Sequence, residues 1–320
     1  MKIIDIPQKH SKEDYKEAVD KHVAYFSKLK NVKSIYQIGG VSTPGVSDID
    51  LIIVFKNESY FKKNPRIVNN TTANYLFTHS LYGVSENDFN NSLKYTFFHN
   101  HVLLYGKTLD LNNYQSNTDQ LLLKKQIALE FLVKMYVNLG VQKSYKTIKL
   151  RSIFLHVKAL LYDFDFLNIY PEPVVSLVNQ GIEYRNSWFE KNISDNDIEL
   201  WFKAFYNAYE IFLEDVLNDH KFFASESAFK ISPNINIAKS DIVRYKRKGI
   251  VFPDILSLMK KKHVKLLNKM NNFHFEIPMD SDAPNIIIKY FDYAKKVNNY
   301  NKLYLPNFMP LTSSLKMYNK

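Results

Sequence analysis

The sequence contains no cysteine. Disulfide bonds, zinc–thiolate sites and thiol nucleophiles are excluded with it. No apolar run approaches the ~20 residues needed to cross a bilayer, so no membrane span is expected. The first residues, Met1-Lys2-Ile3-Ile4-Asp5-Ile6-Pro7, lack a long apolar core followed by a small-residue cleavage site and do not read as a signal peptide, which makes the cytoplasm the expected compartment. No repeat of solenoid period is present. Acidic residues are in deficit, 32 against 43 Lys and Arg, giving a net charge of +11 and a pI near 9.3. Such a balance favours an anionic partner: a nucleotide, a nucleic acid or an acidic surface. Asn, Lys, Ile, Tyr and Phe are abundant together, as in an AT-rich coding sequence, so lysine count alone identifies no partner.

The 320 residues, 46% of them hydrophobic, suffice for two compact domains. The stretch with the most chemical content runs from Tyr36 to Phe55, YQIGGVSTPGVSDIDLIIVF. It reads as a strand, a glycine turn, a short loop and a second strand opening on two carboxylates one residue apart. Alternation along a strand sends Asp48 and Asp50 to one face and Ile49, Leu51 and Ile53 to the other. Paired hard oxygen ligands suit Mg²⁺, which keeps waters and completes its shell with substrate phosphates. Gly39 and Gly40 let backbone approach a ligand closely, and the N–H groups of such a turn can hold phosphate oxygens.

Ile38, Gly39-Gly40 and Asp48-Ile49-Asp50-Leu51 together resemble the signature of the nucleotidyltransferases of the DNA polymerase β superfamily. The resemblance is specific over residues 35–55. It implies Asp48 and Asp50 as catalytic metal ligands for Mg²⁺ or Mn²⁺, an NTP substrate with ATP the expected one, and nucleotide contacts from Gly39, Gly40, Ser42 and Ser47. Only seven residues, 41–47, separate the glycines from Asp48. The helix that usually follows the glycines is therefore expected to be short or displaced. The family also places a third carboxylate on a later strand. The next strand-like run here, residues 73–84, holds no acid; Thr78, His79 and Ser80 occupy that place, and His79 is the candidate base or ligand.

Ser11 with Glu13 and Asp14 opens a helix over residues 11–30. Strands are expected at 32–38, 51–55, 73–84 and 101–105, with a helix starting at Ser85 that accounts for Glu86 and Asp88. Asn57–Asn70, carrying Lys62, Lys63 and Arg66, reads as a solvated connector. From Thr118 the period turns helical, with helices about 118–140, 146–166, 174–186 and 195–217. A helical domain of this kind supplies cations to the triphosphate in the family, and Lys149, Arg151 and Lys158 are the candidates. His156, within an apolar helix, reads as a core histidine. Short strands at 235–238 and 242–245 lead to two basic clusters, Arg244–Lys248 and the lysines from Lys260 to Lys269, the strongest nucleic-acid signal in the chain. The tail from Tyr290 is expected to strap across the surface.

The expected architecture is α+β: a small mixed-sheet nucleotidyltransferase domain over residues 1–115, then a mainly helical domain over 116–320. The expected activity is transfer of a nucleoside monophosphate from an NTP to a hydroxyl of a small molecule or RNA. The alternatives are a degenerate member that binds nucleotide or RNA without turnover, and a toxin–antitoxin or defence component acting on tRNA or protein.

Overall fold

A computed structural model describes residues 1–98, 100–108, 116–224, 229–232, 234–249, 271–280, 282–313 and 316–317. The chain is α+β with mixed sheets and forms two compact units. One comprises residues 8–120 with 289–316; the other comprises 1–7, 121–288 and 317–320. The expected division near residue 115 lies close to the first crossing, but both ends of the chain change sides. The reasons are local. Strand β1 (Lys2–Ile4) pairs in parallel with β6 (Thr147–Lys149) of the helical unit, and the C-terminal segment completes the sheet unit.

In the sheet unit, α1 (Lys12–Phe26) starts on a capping box in which Ser11 and Asp14 satisfy each other's backbone N–H. Next come β2 (Val32–Ile38) and β3 (Asp50–Phe55), which are antiparallel and pair Ile38 with Asp50. The segment 73–84 does not form the continuous strand expected of it. Asn70 caps a short helix, α2 (Thr71–Leu76), through the Ala73 amide, residues 77–81 form a loop, and only then does β4 (Tyr82–Ser85) begin. Helices α3 (Glu86–Asn90) and α4 (Ser92–Tyr95) lead to β5 (Val102–Gly106).

The tail is not a loose strap. Residues Asn285–Tyr304 form helix α9, and Met309–Pro310 form strand β11 beside β4. The resulting sheet has five strands in the order β11-β4-β3-β2-β5. Ile49, Leu51, Ile53 and Phe55 enter one apolar cluster with α1, α2 and Phe308, while Ile52 and Val54 enter a second with Tyr36, Tyr82 and Phe89 on the opposite face. Alternation therefore places Asp50, and Asp48 beyond it, above the Tyr36–Tyr82 side.

The second unit holds α5 (Asn117–Ser144) from Leu121 onward, α6 (Leu150–Leu167), α7 (Val174–Ser187) and α8 (Asp195–Asp219). Tyr209 of α8 donates to the Leu132 carbonyl of α5 at 2.9 Å. A short strand β7 (Phe229–Lys230) precedes a three-stranded sheet of β8 (Ile235–Lys239), β10 (Asn271–Ile277) and β9 (Arg244–Gly249), with β10 central; β12 (Lys316–Met317) pairs with β7. The first basic cluster is thus itself a strand, starting two residues later than the expected one at 242–245. The second, Lys260–Lys269, lies outside the described residues. His156 is half-buried, with its ring nitrogen on the Ser152 carbonyl and its ring stacked on Phe131, and burial holds its pKa below the ordinary value.

Candidate functional site

The antiparallel register fixes the geometry first. Because Ile38 faces Asp50, the next residues of that strand, Gly39 and Gly40, run out alongside Ile49 and Asp48. Gly39 has φ +70, a left-handed backbone that glycine adopts without strain, and both glycines and Ser42 are exposed. A Cβ built on either glycine meets nothing within 4 Å, so the turn is open to a ligand. No helix follows it: residues 41–49 form turns closed by the Val46 and Ser47 amides on the Thr43 carbonyl.

Ser47 has a different place from the one expected. It is 3% exposed and its hydroxyl accepts the Thr43 amide at 3.1 Å, which makes it a brace of the loop rather than a phosphate contact. Tyr15 of α1 reinforces the brace by donating to the Ser47 carbonyl at 2.6 Å and accepting the Gly45 amide at 3.0 Å.

Asp48, Asp50 and His79 converge. One ligand atom from each lies within 4.8 Å of the others, and all three side chains are half-buried. His79 comes from the loop between α2 and β4, not from a strand. Two contacts set that loop against the acids: the Ile49 amide donates to the Leu76 carbonyl, and Thr78 Oγ1 donates to Asp48 Oδ2 at 2.6 Å. Arg66 pins the same loop from behind, donating to the Phe77 carbonyl at 2.9 Å and to the Asn74 carbonyl at 3.0 Å. Ser80 Oγ donates to the Asn307 carbonyl at 2.8 Å.

The imidazole has one nitrogen on each side of an electrostatic question. Nδ1 lies 2.7 Å from the Ser80 carbonyl, and Nε2 lies 2.7 Å from Asp50 Oδ1. A carbonyl only accepts, so Nδ1 carries a proton, and Nε2, facing a carboxylate, is left to take either a second proton or a metal ion. Burial pulls the His79 pKa down, but the hydrogen bond to Asp50 and the charges of Asp50 and Asp48 outweigh it and hold it above 6.5. Tyr82 lies edge-on to the His79 ring with centroids 5.3 Å apart, and burial beside the two carboxylates pushes its phenol well above the usual range. It remains a neutral wall.

The donor set fits a divalent ion. Asp50 Oδ1 is closed to solvent, and among the described residues no N–H or O–H group hydrogen bonds to it apart from the close His79 nitrogen. Such a buried carboxylate oxygen needs a positive partner, either the second imidazole proton or a metal.

Lys149 and Arg151 belong to the other unit, at the start of α6, and Arg151 is only 3% exposed. Glu86 and Asp88 are accounted for by structure: Glu86 pairs with Lys33 at 3.1 Å, and Asp88 is paired by Lys296 at 2.7 Å. On β9, Arg244 and Lys246 are exposed, whereas Tyr245 packs inward on Tyr136 and Phe275 and offers no stacking surface between them. Among the described residues no helix is long and apolar enough to cross a membrane. No protein-family model matches the sequence, and no curated protein matches it.

Proposed function

We propose that this chain is a metal-dependent nucleotidyltransferase that moves a nucleoside monophosphate from an NTP, ATP being the first candidate, to an acceptor hydroxyl of a small molecule or RNA. The observation that carries this reading is the convergence of Asp48, Asp50 and His79 beside an open Gly39-Gly40 turn. The mixed sheet supports it, with Gly-Gly ending one central strand and Asp-x-Asp entering its antiparallel neighbour.

In this reading Asp48, Asp50 and His79 hold Mg²⁺ or Mn²⁺, and the bound ion supplies charge neutralisation at the triphosphate. The exposed amides around Gly39 and Gly40, with Ser42, receive phosphate oxygens. The acceptor oxygen forms a bond to the α-phosphorus as the bond to the β-phosphate oxygen breaks, and pyrophosphate leaves. Phosphoryl transfer of this kind asks mainly for positioning, so the acceptor proton can pass to water at the half-exposed cluster. Thr78 fixes the Asp48 carboxylate and Tyr82 keeps the far side dry.

A second reading has its own observation. The His79–Asp50 contact can close as an ion pair that neutralises the site and leaves a binding protein without turnover. Thermal-shift titration of each NTP, with and without Mg²⁺ or Mn²⁺, separates the two when followed by a pyrophosphate-release assay. Metal-dependent stabilisation that vanishes in Asp48→Asn/Asp50→Asn establishes the nucleotide site by mass action. Pyrophosphate release over a panel of hydroxyl acceptors then supports transfer. Stabilisation that is indifferent to metal and to both aspartates overturns the proposal.

A further inference from the structure

His79 brings an imidazole nitrogen to a pair of carboxylates, and that mixture of donors decides which ion the cluster prefers. Mg²⁺ favours an all-oxygen octahedron and gives up its waters reluctantly, whereas first-row transition ions accept imidazole nitrogen readily. Two carboxylates and one imidazole form a mixed donor set of the second kind. We infer that the Asp48–Asp50–His79 cluster is a nitrogen-ligated site selective for a first-row divalent transition ion such as Mn²⁺ or Co²⁺ over Mg²⁺, with His79 Nε2 as the selecting ligand.

Three features of the structure carry this. Nδ1 donates to the Ser80 carbonyl at 2.7 Å, which fixes the tautomer whose remaining lone pair sits on Nε2. Histidines that bind metals are commonly oriented by such a bond to a backbone carbonyl. The Nε2 side of the ring faces Asp50 Oδ1, the carboxylate oxygen that is shut away from water and lacks another donor among the described residues. The ring is also held before any ion arrives: Tyr82 meets it edge-on, and the backbone on either side is anchored through Phe77 to Arg66 and through Ser80 to Asn307. An imidazole placed in this way is a ligand in waiting rather than a mobile base.

The inference rests on Asp48 and Asp50 being metal ligands, as in the proposed function, but needs no nucleotide. Its test uses the full chain and metal alone. Mn²⁺ binding is measured by EPR with Mg²⁺ as competitor, and pulsed EPR reads the ¹⁴N coupling that a directly bound imidazole produces. The wild type is expected to show ¹⁴N coupling and a preference for Mn²⁺ over Mg²⁺. His79→Asp is expected to lose the coupling and to shift the Mn²⁺/Mg²⁺ preference toward Mg²⁺, since the nitrogen donor is replaced by an oxygen one. Circular dichroism checks that the variant is folded; if it is not, His79→Gln serves for the coupling measurement. Mn²⁺ bound without ¹⁴N coupling in the wild type, or a preference unchanged in His79→Asp, overturns the inference while leaving nucleotidyl transfer intact. Coupling without any NTP-dependent stabilisation sustains the inference and removes the nucleotide reading. No metal bound at millimolar concentration overturns it outright.

Discussion

At the scale of single residues, the candidate centre depends on groups that lie behind the ligands. Arg66 sits twelve positions before Thr78 in a stretch that reads as a solvated connector, yet it holds the carbonyl immediately preceding the Thr78–His79 pair. Arg66→Ala removes several hydrogen bonds from one charged donor, and the expected cost is about 2–3 kcal/mol in unfolding experiments. Mn²⁺ affinity should fall about tenfold beyond what the shift in stability explains, because the His79 loop loses its anchor. An unchanged affinity would show that the loop holds itself.

The same neighbourhood contains a pH-sensitive group. His22 of α1 is buried, its Nδ1 lies 2.7 Å from the Ala18 carbonyl, its ring packs on Phe77, and Asn69 and Arg66 face it. Burial first, and then the Arg66 charge, lower its pKa below 6.5. The unfolded chain therefore takes up this proton at a higher pH than the folded one does. Its contribution is fully present above about pH 6.5 and is lost as pH falls from there through the depressed folded value. His156 acts with the same sign in the other unit. Thermal midpoints measured between pH 7.5 and 5 should fall with acidity, and His22→Gln should flatten part of that slope. A slope that the substitution leaves unaltered would assign the acid sensitivity elsewhere.

At the scale of elements, the sequence shows clearly what is periodic and long. Strands β2 and β3 follow from alternation, and the carboxylate pair follows with them. The long helices α5 to α8 follow from 3.6-residue spacing, and their starts agree to within a few residues except at α6, where a three-residue strand takes Thr147–Lys149. Short elements are where the reading fails. Helix α2 has six residues, too few for a period to declare itself, and Tyr75, Leu76 and Phe77 also suit a strand. The error matters because it moves His79 from a strand, where its direction would be dictated by the pleat, to a loop, where Arg66, Ser80 and Thr78 dictate it. Helix α9 was readable: Ile287, Tyr290, Ala294, Val297 and Asn301 are all buried and spaced by three and four. The many Asn and Tyr residues, weak helix formers, disguised that pattern as a tail.

The junction of β4 with the C-terminal segment makes a direct test at this scale. A Cβ placed on Gly83 would lie 2.7 Å from the Phe308 side chain, and Asn301 donates to the Gly83 carbonyl at 3.1 Å. Gly83→Ala forces these apart and should destabilise the sheet unit by about 1–3 kcal/mol, read from denaturant midpoints. Phe308→Gly removes the Cβ, Cγ and Cδ1 that make the overlap, so the double variant should lose less than the two single changes added together. Strict additivity would mean that the two residues do not meet.

At the scale of the whole molecule, compactness and sequence order part company. The sheet unit takes its first stretch from residues 8–120 and its last from 289–316, with the helical unit's residues between. No composition shift announces such an interleaving; β1 with β6 and β11 with β4 are pairings between distant short strands, which local patterns cannot foretell. It also gives the molecule a clock. Ribosomes add about 5–20 residues per second, so roughly 10–45 seconds separate emergence of the segment bearing Asp48, Asp50 and His79 from emergence of Phe308 and β11. During that interval β4 can pair with β3 but not with β11, and Ser80 lacks the Asn307 carbonyl. The candidate centre is written early in translation and finished among the last acts of it.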